Sequence, residues 1–566
     1  MKIRSFLSVL CVLTVLSCGP TRDGADLIFI NGKIWTSSDS TSFAEAVAIK
    51  GNIIEETGSS EQILKSSAGK LSKIIDLKGR LLIPGFNDAH IHFLGGSVGL
   101  TEVDLTDAHS IKDVVGFVKR FATENPNKKW ITGRGWQYTM FKDGLPSKDI
   151  LDSIINNRPV FLKAYDGHSA WANSAALRLL KITKSIKYNG FGEIVRTSNG
   201  ELTGVFKEDA MAVVGDSIAP LTKDEKIAAL RKGLKLASSL GITSLTNASG
   251  SPAELILYKT LLNNRELTVR IGAAFSVGGG TTEEDIKRFT ALKDSVGVNP
   301  RLTINAVKFM LDGVIESHTA AMLAPYSNVK PKESLPQGSF GLPLEIYNDL
   351  VSRFDKNGFR VFTHAIGDRA VREALNAYEA AGKANNTSGR HRVEHIETIS
   401  PDDIPRFASV GVLPSMEPIH AEPGTVSVWA EGVGPDRLPY SFAWNSILKA
   451  GGKLVYSSDW PACVSLNPIR GLHTAVTRKT ILGEPKGGWV GEQKISITDA
   501  LLAYTQGGAY SSFEEKTKGK IAPGYLADLV VLSQDLFKCD PLNTHKTKVV
   551  MTVFDGKVIY DTGELK

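Results

Sequence analysis

The stretch 84-PGFNDAHIHF-93 holds two histidines, His90 and His92, separated by one residue, and it follows the apolar run 81-LLI-83. Residues i and i+2 of a β-strand point to the same face, so both imidazoles are predicted to share one side of a buried strand. Two interpretations are open at this point. The pair is either two hydrogen-bonded core histidines or half of a metal site.

Strand-like segments alternate with helical sequence along the rest of the chain. The helical stretch 222–241, for instance, has Thr222 as its predicted N-cap and Gly241 as its end. The opening stretch and seven further segments together make eight predicted strands. This count and alternation predict an α/β fold with a (β/α)8 TIM-type barrel over residues 84–484. The further candidate strands are 242-ITSLTNA-248, 268-TVRIGAAF-275, 303-TINAVKFM-310, 359-FRVFTHA-365, 391-HRVEHIE-397, 410-GVLPSM-416 and 453-KLVYSSD-459.

The distance between the first and second predicted strands is far longer than one β–α unit. Residues at about 97–220 are therefore predicted to be a large insertion. Insertions after a barrel strand emerge on the catalytic face, so this one is expected to lie over the site and to act as a lid.

The two ends of the chain have the same kind of predicted secondary structure. Both carry short strands joined by hairpin turn signals, at Asn31-Gly32 within 28-IFINGKIWT-36, at Gly51-Asn52 and at Asp555-Gly556. Isolated hairpins are only marginally stable in water, so residues 25–83 and 485–566 are predicted to form one composite β-sandwich domain. Two independent β extensions are the alternative.

The first residues have the pattern of a secretory signal. Lys2 and Arg4 precede the apolar run 6-FLSVLCVLTVL-16, which is too short to span a bilayer. The run ends in 15-VLSC-18, which resembles a bacterial lipobox. We therefore expect residues 1–17 to be a signal peptide, Cys18 to be lipidated, and residues 18–24 to tether a periplasmic or surface-exposed lipoprotein to a cell-envelope membrane. An ordinary signal peptide or an uncleaved anchor is the alternative.

The composition is that of a globular protein. Hydrophobic residues make up 42% and charged residues 22% of the 566 residues, and the net charge of +6 is not concentrated in long Lys/Arg runs. Nucleic acid is therefore not an expected partner. A homo-oligomer remains open.

Six polar residues end otherwise apolar predicted strands, where barrel active sites form. One such histidine is usually a core residue, but six groups at one end of one barrel indicate a shared site. Imidazole and carboxylate are ligands that zinc and similar ions prefer. The six are His90, His92, Lys308, His364, His395 and Asp459.

Lys308 needs a separate explanation, because an ammonium group has no lone pair for a metal. A buried, neutral lysine can add carbon dioxide, and the resulting carbamate has two anionic oxygens that can bridge two ions. A salt bridge to Asp312 or Glu316 is the alternative.

The segment 391-HRVEH-395 also has two interpretations. On a helix, His391 and His395 would both reach one metal. The flanking sequences 385-NNTSGR-390 and 400-SPDD-403 read as a loop and a helix start, so a short strand is expected, and only His395 is predicted to be a ligand.

This arrangement resembles the amidohydrolase superfamily, with His-x-His on the first strand, Lys on the fourth, His on the fifth and sixth, and Asp on the eighth. Four segments are similar to its YtcJ-like group, amidohydrolase family 3. The chain departs from that group at 416-MEPIH-420, where Gln-Pro is common. The four segments are 133-GRGWQ-137, 166-DGHSAWANSAAL-177, 307-VKFMLDGVIESHTA-320 and 364-HAIGDRAV-371.

The resemblance implies a metal-dependent hydrolase of non-peptide carbon–nitrogen bonds in small amides, N-acyl or N-formyl compounds. A metal-activated hydroxide would attack, and Asp459 would shuttle the proton. One or two ions are expected, zinc first, with iron or manganese as alternatives. An esterase or lactonase using the same site and a non-catalytic binding lipoprotein are the competing functions.

Several further residues are candidates around this site. His168, after the Asp166-Gly167 turn of the insertion, is predicted to bind substrate or an oxyanion, or else to cap a turn. Trp136 and Trp171 are candidate pocket walls. Asp88, Glu417 and His420 are left without an assigned role.

Overall fold

The computed structural model describes residues 24–37, 41–142, 144–165, 168–190, 192–329, 335–463 and 465–565. The predicted signal peptide, the lipobox and Cys18 lie outside these residues. In the part of the chain that is described, no helix is both long and apolar enough to cross a membrane.

Eight parallel strands form one sheet in which strands that follow each other in the chain are neighbours. The last and first strands meet through two backbone hydrogen bonds, from Asp459 N–H to His90 O and from His92 N–H to Trp460 O, both 2.9 Å. The sheet is therefore rolled into a barrel, and the predicted barrel is confirmed. The strands are Phe86–Ile91, Ile242–Gly250, Arg270–Ser276, Leu302–Met310, Arg360–Ala365, Arg392–His395, Leu413–Met416 and Val455–Tyr456.

Helices follow the strands and bury their apolar faces against them. The predicted helix at 222–241 runs over Lys223–Ser239 and begins with a capping box between Thr222 and Glu225. A large apolar cluster lies between the barrel and this outer layer. The helices from the first strand onward are Phe93–Gly99, Lys223–Ser239, Pro252–Asn263, Glu283–Val296, Leu344–Lys356, Asp368–Asn385, Arg406–Val410, Ser427–Val433, Trp444–Lys449, Pro468–Thr477, Ile497–Leu502 and Gly508–Ser511.

Between the first two barrel strands the chain builds a separate six-stranded sheet. Trp136 and Trp171 are fully buried in its core, so they are packing residues rather than pocket walls. The strands are Val103–Asp104, Ile131–Trp136, Val160–Ala164, Ser169–Ala172, Gly192–Arg196 and Leu202–Glu208, and the helices are Ile111–Glu124, Lys148–Asp152, Ser174–Leu179 and Ala212–Gly215.

Strands from both ends of the chain meet in a second six-stranded sheet. Leu81–Pro84 pairs in parallel with Lys33–Trp35 on one side and antiparallel with Leu529–Leu532 on the other. The sheet contains Lys33–Trp35, Phe43–Ala44, Leu81–Pro84, Leu529–Leu532, Val549–Phe554 and Lys557–Asp561. A four-stranded sheet contains Leu27–Ile30, Ala46–Lys50, Ile53–Gly58 and Lys73–Asp76, with helix Ser60–Ser67 beside it.

The hairpin expected at Asn31-Gly32 is wrong. The strand before it, Leu27–Ile30, belongs to the four-stranded sheet, and the strand after it, Lys33–Trp35, belongs to the six-stranded sheet. Leu27–Ile30 pairs with Ala46–Lys50 and Lys73–Asp76, and Lys33–Trp35 pairs with Phe43–Ala44 and Leu81–Pro84. This pairing with other segments overrides the local turn signal. The hairpins at Gly51-Asn52 and Asp555-Gly556 are confirmed by antiparallel pairing of their strands.

Candidate metal centre

The six residues predicted at strand ends all lie at the carboxyl end of the barrel. His90, Lys308, His364 and His395 are in the last half of the first, fourth, fifth and sixth strands. His92 follows the first strand directly, and Asp459 lies three residues beyond the end of the eighth. Five of the six are buried, and only His92 is partly open, with 34% of its side chain exposed.

Three of these side chains converge where the first and last strands meet. His92 Nε2 lies 3.1 Å from Asp459 Oδ1, and His90 Nε2 lies 3.5 Å from the same oxygen. One donor atom from each of the three falls within 4.8 Å of the others, a spacing that can hold an ion.

The remaining three side chains border this group. Lys308 Nζ lies 3.3 Å from His90 Nε2. The ring of His395 lies 5.0 Å from that of His90 and 4.5 Å from that of His364, centroid to centroid. All six predicted residues are therefore gathered into one cluster.

The charge state of the imidazoles suits metal binding. Burial lowers the pKa of His90 and His364 well below the ordinary value, and burial lowers the pKa of His395 to about 4. All three are neutral near pH 7 and offer lone pairs. Neutral imidazoles with a carboxylate fit a divalent ion such as zinc.

Two buried glutamates orient two of the histidines. Glu394 Oε2 accepts the Nδ1–H of His90 at 2.6 Å, and Glu417 Oε2 accepts that of His395 at 2.9 Å. Arg392 Nε donates to the other oxygen of Glu394 at 2.7 Å. Carboxylates in this position fix the tautomer that leaves Nε2 free for a metal. The role of Glu394 was not predicted from the sequence.

Asp312 does not pair with Lys308. Its carboxylate instead accepts three backbone N–H groups, from Ala321, Ile366 and Gly367, at 2.9–3.0 Å. Burial lowers the pKa of Lys308, which favours the neutral amine that the carbamate interpretation requires.

His420 also belongs to this cluster. Its Nε2 lies 3.7 Å from Asp459 Oδ2, and its ring stacks parallel to that of His395 at 5.8 Å. Its Nδ1 lies 3.3 Å from Glu397, whose other oxygen accepts the indole N–H of Trp429 at 2.6 Å. The signal in the sequence was its place just after the seventh strand.

Asp88 joins the first barrel strand to the eighth. One oxygen accepts the N–H of His90 at 3.3 Å and that of Ser458 at 3.1 Å. Burial raises the pKa of Asp88 to about 7. It therefore supports the backbone beneath the cluster rather than facing into it.

Two cluster residues have strained backbones. The φ angles are +75° at His395 and +53° at Asp459, a region that non-glycine residues rarely adopt. Such strain costs about 1–3 kcal/mol and persists where the surroundings determine it, often at functional sites.

Two other histidines lie apart from this cluster. His168 is exposed in the insertion, with its Nδ1 3.0 Å from Glu208. His391 is buried and structural, because its Nδ1 accepts the N–H of Val361 at 3.0 Å and its Nε2 lies 3.1 Å from Asp355. The helical interpretation of 391–395 is thus excluded by the strand Arg392–His395.

Comparison with known proteins agrees with this geometry. The model of the amidohydrolase family matches residues 73–560. The putative amidohydrolase YtcJ of Bacillus subtilis is 28% identical over 94% of this chain and 99% of its own. The N-substituted formamide deformylase of Arthrobacter pascens is 25% identical over 95% and 98%.

A solved structure is similar over nearly the whole chain. It is an uncharacterised metal-dependent hydrolase from Pyrococcus horikoshii, with a TM-score of 0.72 and 26% identity over 91% of this chain and 99% of that one. Fold, donor set and family match agree. This chain belongs to the amidohydrolase family, in its YtcJ-like group, and is a metal-dependent hydrolase.

Proposed function

We propose that this hydrolase cleaves carbon–nitrogen bonds other than peptide bonds in small amides, with N-acyl or N-formyl compounds as the substrate class. The observation that carries the proposal is the convergence of donor atoms from His90, His92 and Asp459 within 4.8 Å. The name of the relative that deformylates N-substituted formamides supports the choice of bond.

The proposed metal ligands are the six clustered residues, for one or two ions. His90, His92 and Asp459 would hold one ion, and His364 and His395 lie beside them for a second. Zinc is the proposed ion, given the ligand types. When bound, it supplies Lewis-acid chemistry and a water that loses its proton near neutral pH.

Asp459 is the proposed proton carrier. Its carboxylate lies between two imidazoles, with one oxygen 3.1 Å from His92 and the other 3.7 Å from His420. It would accept the proton of the attacking water and pass it to the leaving nitrogen. The side chain is only 8% exposed, so the proton is shielded from bulk solvent.

His420 is proposed to position this carboxylate. Its Nδ1 is held by Glu397, and the indole of Trp429 fixes that glutamate in turn. The imidazole is thereby kept in place, with its Nε2 turned toward Asp459 Oδ2, which would hold the carboxylate in one orientation.

A carbamate on Lys308 remains part of the proposal. The amine is buried and lies 3.3 Å from His90 Nε2. A carbamate there would place a negative charge among neutral imidazoles and offset the charge of bound ions. His168 is proposed only as a substrate contact from the insertion.

The decisive experiment is metal analysis of protein purified without chelators, followed by hydrolysis assays. The panel pairs each N-formyl or N-acetyl amine with the corresponding ester, and adds lactones and dipeptides. We expect at least one equivalent of zinc and turnover of the amides. Less than half an equivalent of any transition metal, with no turnover after zinc is added, would overturn the proposal, and turnover of esters alone would make the protein an esterase.

The organisation of the full chain is proposed as the sequence predicts it. The proposal includes the signal peptide 1–17, a lipid on Cys18, and placement in the cell envelope. It also treats the β-sheets from both ends as one domain. Labelling of cells with a palmitate analogue would test the lipid, since replacing Cys18 by Ser should abolish the label.

A further inference from the structure

A cavity of about 580 Å³ lies between the insertion and the mouth of the barrel. One wall is a face of the insertion sheet, and the opposite wall contains Gly95 and Gly99 of the helix Phe93–Gly99 together with Pro461. Its volume falls within the range of about 300–1,000 Å³ that small-molecule sites occupy.

This cavity is adjacent to the metal centre along the chain. Pro461 is two residues after Asp459, and Gly95 is three residues after His92. Two consecutive Cα–Cα steps cover at most about 7.6 Å. The segments that carry His92 and Asp459 therefore also border the cavity.

Two cations stand side by side on the cavity wall. Arg134 and Lys163 are register partners on adjacent parallel strands, and both side chains are exposed. Neither forms an ion pair with any residue that the structure describes. Like charges at directly paired positions repel each other, and an anion between them would turn the repulsion into binding.

Two acidic groups nearby each accept a hydrogen bond from within the insertion. Glu102 lines the cavity, but its carboxylate accepts the hydroxyl of Thr132 at 2.8 Å. Asp104, the other register neighbour of Arg134, accepts the N–H of Thr106 at 2.9 Å. With Glu102 counted, the two cations leave the lining with a net charge of +1, which matches a monoanion.

The rest of the lining is mainly apolar. Phe161, Ile218 and Leu221 contribute side chains, as does Pro461, which lies two residues after Asp459. This combination suits a molecule with an apolar body and one anionic group.

We propose that the cavity binds the carboxylate of the substrate between Arg134 and Lys163, so that the preferred substrates are N-acyl compounds with an apolar body and one carboxylate. This inference rests on the proposed function for the position of the scissile bond. Binding of the carboxylate between Arg134 and Lys163 does not depend on turnover.

The test measures binding of N-acetyl-leucine and its uncharged counterpart N-acetyl-leucinamide. Calorimetry is run on metal-loaded protein carrying Asp459→Asn, which prevents turnover from disturbing the titration. We expect the carboxylate to bind about tenfold more tightly than the amide, equivalent to about 1.4 kcal/mol. Raising the salt concentration should reduce this ratio.

Charge-matched variants distinguish the cavity from a general charge effect. The double variant R134Q/K163Q should bring the ratio of the two dissociation constants to about one. The control K112Q/R120Q removes two exposed cations from the helix Ile111–Glu124, which packs on the other face of the insertion sheet, and should leave the ratio unchanged.

Each outcome has a defined meaning. The inference is overturned if neither probe binds at millimolar concentration, if no preference exists, or if the preference survives in R134Q/K163Q. Wild-type turnover of neutral amides is measured separately. A charge-dependent preference without any turnover would leave the cavity assignment standing and refute the proposed function.

Discussion

Replacing Glu394 by Gln should weaken both metal binding and the fold, for two separable reasons. In the native protein the Glu394 carboxylate accepts from His90 Nδ1 at 2.6 Å and from Arg392 Nε at 2.7 Å, and all three side chains are fully buried. The amide keeps the shape of the side chain and removes its charge.

The expected magnitudes follow from these contacts. Loss of a carboxylate that orients a metal-binding histidine lowers metal affinity about 10–100-fold, or about 1.4–2.7 kcal/mol. Removing one partner of a buried ion pair destabilises a fold by about 3–5 kcal/mol. The terminal nitrogens of Arg392 have no hydrogen-bond partner among the described residues, so its charge would remain uncompensated.

A second variant separates the two effects. R392M/E394Q also removes the buried cation, so the urea midpoint of the metal-free protein should recover most of the loss, while zinc affinity, measured by competition with a chromophoric chelator, should stay low. Wild-type zinc affinity in E394Q would refute the orienting role of Glu394. An unchanged urea midpoint in E394Q would refute the ion-pair argument.

Three further changes test other parts of the site. K308A should lose most turnover and regain part of it with a short carboxylic acid, whereas unchanged turnover would rule out the carbamate. D459N should keep most of its zinc, because the amide oxygen remains available as a ligand, and should lose turnover; surviving turnover would show that Asp459 is not the proton carrier. Burial alone would raise the pKa of Asp355, but hydrogen bonds from His391, Thr387 and Asn385 lower it from 3.8 to about 2. Its stabilisation is therefore present above about pH 4 and disappears as the pH falls through 2. D355N should be less stable than wild type by about 1–2 kcal/mol at neutral pH, and the urea midpoints should converge near pH 2; a constant difference across this range would contradict the shift.

The barrel and its six candidate ligands were predictable because each signal is local. His364, for example, ends an apolar strand of ordinary length, and strand ends in a barrel meet at one face. The Asn31-Gly32 hairpin failed for the opposite reason. A turn signal describes two residues, whereas the strands beside it pair with other segments: Leu27–Ile30 with Ala46–Lys50, and Lys33–Trp35 with Phe43–Ala44 and Leu81–Pro84.

The residues that support the ligands, such as Glu394, were not predicted from the sequence because of the backbone geometry at the strand ends. Alternation along a strand directs Glu394 and His395 to opposite faces. The positive φ of His395 bends the chain there, so both side chains contribute to the same cluster. The paired position of Arg134 and Lys163 requires the strand register of the insertion, which a single sequence does not reveal.

The seam between the first and last barrel strands offers a way to tell whether a chain has closed its barrel. His90 and His92 lie on one side of it and Asp459 on the other, with more than three hundred residues of chain between them. Bringing such distant segments together is slow and entropically unfavourable. A molecule whose seam is open, through clipping or arrested folding, would retain most of its helices and strands and therefore an almost normal circular dichroism spectrum. Tightly bound zinc would then report barrel closure molecule by molecule, and the zinc content of a preparation would measure the fraction of chains that had completed the fold.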